Sequence, residues 1–135
     1  MWFGAIDNIN INGQLYVASH DVRTVSIDAP GANVMPGAVT NPTATFGNIG
    51  NNTETFDVHY RIDSSGVNVY NQTANITLLM SSDTTLVFPS WTAGTTTGTV
   101  YDITVYTSLA GDINPGNDTL HAQTTVNPTF WEILS

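Results

Sequence analysis

The sequence predicts an all-β domain, an immunoglobulin-like antiparallel β-sandwich of seven to eight strands. Three observations carry that expectation. Apolar and polar residues alternate with period two in the stretches 53–62, 101–106 and 120–126, the mark of strands with one buried and one wet face. Turn-forming clusters of Gly, Pro, Asn, Asp and Ser recur at short, regular spacing between them, as in sandwiches. No segment keeps a helical period over three turns.

The elements follow in order. The run DNININGQLYVA sets Asn12-Gly13 between two alternating segments, Ile6–Ile11 and Gln14–Ala18. Both residues tolerate the positive φ of a type I′ turn, so a small hairpin is expected, with Trp2 and Phe3 leading into it. The first sandwich strand is Val22–Ile27, ended by Ala29-Pro30-Gly31. A short run around Val34 follows, closed by Met35-Pro36-Gly37, then a strand over Val39–Phe46. After the turn at 48–52, Phe56, Val58, Tyr60 and Ile62 alternate with Thr55, Asp57, His59 and Arg61. Asp63–Gly66 turns this strand into Val67–Tyr70, and Ala74–Leu79 and Thr84–Phe88 are read as two more. A loop holding Trp91 leads to the final hairpin, in which Tyr101, Ile103 and Val105 and then Leu120, Ala122, Thr124 and Val126 form the apolar phase. The expected organisation is a terminal extension over 1–20, the sandwich over 21–126, and an apolar tail over 127–135.

Composition narrows the function classes. Eleven acidic residues face two basic ones, Arg23 and Arg61, for a net charge of −9. That balance argues strongly against nucleic acid and anionic membranes as partners, because neutralising phosphates needs clustered Lys and Arg. Only 10% of residues are charged, so neutral side chains must cover the surface; the chain has 21 Thr and 14 Asn. Such a surface points to an extracellular or cell-surface setting. There is no cysteine, hence no disulfide scaffold and no thiolate metal site. No run approaches the roughly 18 apolar residues of a membrane span, so no membrane insertion is expected.

Few residues suggest chemistry. Asp112, Asn114 and Asp118 stand at D-x-N-x-G-x-D spacing, resembling the oxygen ladder of a calcium loop. The distal glutamate is missing and Pro115 interrupts the usual path, so the leading expectation is a turn with positive φ at Gly116, and no cofactor. His20, His59 and His121 are the possible zinc set, expected instead to be solvated. Asp57 and Asp102 are a possible carboxylate pair on a sheet face. No nucleophile elbow and no phosphate-cradling glycine motif is present, so the chain is read as non-enzymatic. Trp91 is a candidate sugar platform, with Tyr70 and Tyr106 as outward aromatics; the competing expectation is a cap on the core. Asn51, Asn71, Asn75 and Asn117 each open an Asn-x-Thr sequon, and Asn51, Asn71 and Asn117 are expected in turns.

The runs DVRTVSIDAPGANVMPGAVTNPTATFGNIGNNTETFDVHYRI, TLVFPSWTA and VYDITVYTSLAGDINPGNDTLHAQTTV resemble the cell-adhesion-related (CARDB-type) immunoglobulin-like domains of bacterial and archaeal surface proteins. The shared features are the Pro-Gly before the second main strand, the Asn-x-Gly turn at 48–50, and the GD…ND loop before the last strand. The resemblance covers about 21–126 and implies the fold. It implies no catalytic residue, since such domains serve as spacers, adhesive modules and accessory domains of secreted enzymes.

The apolar extensions lie outside that pattern. Trp2, Phe3, Ile9 and Ile11 at one end, and Phe130, Trp131, Ile133 and Leu134 at the other, are more apolar than chain ends usually are. They are expected to mediate self-association into a homo-oligomer or surface filament, by strand donation or tail docking. The alternatives are a carbohydrate-binding or spacer module of a larger secreted enzyme or adhesin, with glycans as partner, and a virion structural protein.

Overall fold

A computed structural model describes residues 19–110, 112 and 115–128. The terminal segments, including the 6–18 hairpin and the Phe130–Leu134 patch, lie outside the described residues. The strands are β1 (Val22–Ala29), β2 (Asn33–Val34), β3 (Val39–Thr40), β4 (Thr43–Asn48), β5 (Glu54–Ser64), β6 (Val67–Leu78), β7 (Ser82–Val87), β8 (Trp91–Thr92), β9 (Val100–Ser108) and β10 (Thr119–Val126). One sheet runs β1-β4-β7, the other β2-β10-β9-β5-β6, and β3 pairs with β8 beside them. All pairings are antiparallel except β2 on β10. The chain therefore passes from one sheet to the other between β1 and β2.

The expected phases hold in the long central strands. Phe56, Val58, Tyr60 and Ile62 of β5 and Tyr101, Ile103 and Val105 of β9 are buried. Opposite them lie Val22, Ala44 and Phe46 of the three-stranded sheet. The rings of Tyr60 and Phe88 pack with centroids 5.3 Å apart, and Phe88 meets Phe46 edge-on. Cores of this kind gain stability from apolar area removed from water and from close packing.

Three local expectations are corrected. Val67–Tyr70 and Ala74–Leu79 are one strand, β6, paired with β5 along its length apart from one irregularity at Ile62/Asp63. Val39–Phe46 is two strands, split at Asn41-Pro42, because Pro42 has no N–H to give a ladder. Gly116 lies in a single 3-10 turn, Pro115–Asn117. The tight turn is elsewhere: Ser65 (φ 51°) and Gly66 (φ 81°) join β5 to β6, with Ser64 paired to Val67. Positive φ at both central residues is the twist-compatible hairpin geometry.

Register fixes where the chain enters and leaves. Val22 pairs with Asn48, and Asn48 with Ser82, at one end of the small sheet. Asn48 Nδ2 also donates to the carbonyl of Leu78 at 3.0 Å, so the end of β6 is at that same end. Val126 pairs with Val34, and Thr125 with Val100, at the far end of the large sheet. The sandwich is thus entered at Asp21 and left at Val126 from opposite ends.

Candidate functional site

The end at which the chain enters holds the main cluster of polar groups. Asp21 precedes β1, while Asp112, Asn117 and Asp118 belong to the β9–β10 loop. Asn117 Nδ2 donates to Asp21 Oδ1 at 3.0 Å, and the Val22 N–H donates to Asp112 Oδ2 at 3.2 Å. Thr24 Oγ1 donates to the Asp118 carbonyl oxygen at 2.6 Å, and the Thr107 N–H to the same oxygen at 3.1 Å. The loop is thereby tied to β1 in one sheet and β9 in the other.

Asp118 is 9% exposed. Burial, then a side-chain hydrogen bond with Asp112 and the charges of Asp112 and Asp21, push its carboxyl up to about 7. Desolvation and like charge both disfavour the ionised form. Thr107 Oγ1 lies near enough to oppose part of this shift, yet forms no hydrogen bond of good geometry. Asp118 Oδ1 and Asn117 Oδ1 are likewise buried oxygens without a partner. Of the residues read as a calcium ladder, Asp112 and Asp118 are brought together, and Asn114 lies outside the described residues. Asp21 and Thr107 were missed. Asp21 stands 96 residues from Asn117, and no local signal links positions so far apart.

Other candidates are dispersed. Among the described residues no three His, Cys, Asp or Glu side chains are placed to hold a metal by themselves. His20 bonds Glu54, His59 stacks on Tyr106 with ring centroids 4.3 Å apart, and His121 faces Thr104. Asp57 and Asp102 are not neighbours: in the β5–β9 register Asp57 faces Ser108 and Asp102 faces Asp63. Asp57 accepts from Asn75 Nδ2 and Asp102 from Gln123 Nε2.

The aromatic candidates are mostly core. Trp91 is 6% exposed and packs edge-on against Tyr101 at 4.8 Å, so it caps the core and offers no open ring face for a sugar. Tyr70 is buried as well, donating its hydroxyl to the Pro89 carbonyl at 2.6 Å. Tyr106 is the outward ring of the set, half-buried under His59.

Asn71 is not in a turn but exposed in β6, opposite Arg61. Asn75 is also in β6, and its amide nitrogen is taken by Asp57. Asn51 Oδ1 accepts from the Ser19 N–H at 2.7 Å, which holds the incoming chain. The Asn117 amide nitrogen, where a glycan would attach, is engaged by Asp21.

No protein-family model matches the sequence, and no curated protein matches it. Solved structures do. A domain of a protein ascribed to the cell surface of Methanosarcina acetivorans is 28% identical with a TM-score of 0.61, over 82% of this chain and 95% of that one. The CARDB domain of a Pyrococcus furiosus protein is 21% identical with a TM-score of 0.63, over 82% and 97%. A cycloisomaltooligosaccharide glucanotransferase from Paenibacillus sp. is 21% identical with a TM-score of 0.64, over 84% of this chain; the match spans only 15% of that enzyme. No helix among the described residues is long and apolar enough to cross a membrane. In fold, the chain is an immunoglobulin-like β-sandwich similar to the CARDB domain.

Proposed function

We propose that the protein is a non-enzymatic extracellular structural or adhesive module that joins copies of itself end to end in a cell-surface fibre. The observation that carries this reading is that the chain enters the sandwich at Asp21 and leaves it at Val126 from opposite ends. A module so built transmits length along its own axis, and a head-to-tail contact that does not close makes a filament. The apolar segments that continue from those two ends supply the contact: Trp2, Phe3, Ile9 and Ile11 before the sandwich, Phe130, Trp131, Ile133 and Leu134 after it. Strand donation suits the sheets, since β6 and β7 each have one partner strand among the described residues. The likeness to a cell-surface protein domain over 95% of that domain supports the location.

Sedimentation of the whole chain against residues 19–135 tests the reading. The whole chain should form a concentration-dependent series of larger species, and the shortened chain should stay monomeric. A second reading rests on the glucanotransferase: a spacer domain within a larger secreted enzyme, where the matched region is 15% of the enzyme. That reading requires the whole chain to be monomeric at high concentration.

A further inference from the structure

Among the described residues, three large apolar side chains stand exposed where the chain enters the sandwich: Ile49 (45%), Leu79 (67%) and Met80 (58%). Ile49 follows β4, and Leu79 and Met80 open the turn between β6 and β7. Asn48 holds the two loops side by side. Its backbone pairs with Ser82, and its amide nitrogen donates to the Leu78 carbonyl at 3.0 Å. The Ser82 N–H in turn donates to the Leu79 carbonyl at 3.2 Å. The other exposed large apolar residues, Val39, Val67, Val69, Val87 and Val100, are all valines in strands. Strand propensity accounts for those. It does not account for Leu79 and Met80, and turns favour Gly, Asn, Asp and Ser instead. Scattered apolar residues need no explanation, but a contiguous set marks an interaction surface.

We propose that Ile49, Leu79 and Met80 receive the C-terminal segment of a second copy, with Trp131 and Ile133 as its anchors, an inference that rests on the end-to-end assembly proposed above. Copies joined in that way bring the far end of one, from which Phe130–Leu134 continue, against the entry end of the next. In an extended segment Trp131 and Ile133 share one face, and Glu132 takes the other. An aromatic anchor against a Met-containing surface is the usual composition at the centre of a protein interface.

Chain length requires the donor to be another copy. Trp131 follows Val126 by five residues, so it reaches at most about 18 Å from the far end. The eight residues of β10 alone span about 25 Å, and the patch lies past their entry end. The extension before Ser19 emerges beside the patch, where the Ser19 N–H donates to Asn51 Oδ1 and His20 bonds Glu54, the cross-strand partner of Leu78. Residues 1–18 therefore flank the acceptor surface, in accord with the need for them in assembly.

Two experiments on the whole chain test the proposal. Leu79→Ser combined with Met80→Ser should raise the concentration at which fibres form by about tenfold or more. Its thermal midpoint should stay within about 2 °C of the parent, because both side chains face solvent. The chain has no cysteine of its own, so engineered pairs report contacts directly. Met80→Cys chains mixed with Ile133→Cys chains under mild oxidation should give a disulfide-linked pair that neither gives alone. Fibres that form unchanged in the double-serine chain would overturn this inference and leave the end-to-end assembly standing. So would a Met80→Cys cross-link formed within one chain, whether to Ile133→Cys or to Ile11→Cys, the latter assigning the patch to the chain's own N-terminal extension. A parent chain that stays monomeric would overturn both.

Discussion

The Thr24 hydroxyl and the Asp118 carbonyl oxygen are 2.6 Å apart although 94 residues separate them in the chain. This hydrogen bond crosses from the three-stranded sheet to the loop that ends the five-stranded one. It closes the sandwich at the end where the chain enters. Thr24→Val keeps the shape and deletes the donor. The Asp118 carbonyl still accepts the Thr107 N–H, so the expected loss is about 1 kcal/mol, seen as a lower urea midpoint at unchanged slope.

Asn48 is the more demanding polar residue at that end. It is fully buried; its amide nitrogen donates to the carbonyls of Asn52 (2.7 Å) and Leu78 (3.0 Å), and its oxygen accepts the Gly50 N–H (3.0 Å). Asn48→Ala deprives the Asn52 and Leu78 carbonyls of this donor, while the Gly50 N–H keeps the Asp21 carbonyl at 3.1 Å. The expected cost is about 3 kcal/mol or more by urea unfolding, several times that of Thr24→Val.

Gly50 fits against the incoming chain so closely that a Cβ would run into the Ser19 carbonyl and come within 2.9 Å of the Asp21 nitrogen. Both obstacles are backbone and cannot rotate away. Gly50→Ala should cost about 1–3 kcal/mol. It should also open the segment around Ser19 and His20 to limited proteolysis, while cleavage within β5 and β9 stays unchanged.

The raised Asp118 carboxyl makes stability pH-dependent with a definite sign. Its native value is about 7, against an ordinary value of 3.8. Between those limits the native state holds more protons than the unfolded chain, so stability falls as pH rises from about 4 to about 7 and levels off above. The thermal midpoint should follow that course. Asp118→Asn should flatten the Asp118 part of it.

Much of the sandwich was legible because β5, β9 and β10 are half-buried and so carry strict alternation, with Phe56, Val58, Tyr60 and Ile62 as the clearest case. β6 was harder. Its inward phase includes Gln72 between Tyr70 and Ala74, so an edge strand with a wet outer face looked like two shorter runs. β2, β3 and β8 have two residues each, too few to show any period. Part of the polar cluster was visible as the spacing of Asp112 and Asp118. Asp21 and Thr107 were not, because strand pairing alone brings them to that loop. Trp91 shows the converse limit: an aromatic in a loop reads the same in sequence whether it caps a core or faces a ligand.

The central claim is that modules join end to end through the segments beyond Asp21 and Val126. Electron microscopy of the purified whole chain beside residues 19–135 tests it most directly. The account predicts linear fibres from the whole chain and dispersed single particles from the shortened one. Dispersed particles from both, at concentrations where the protein is folded, would contradict it.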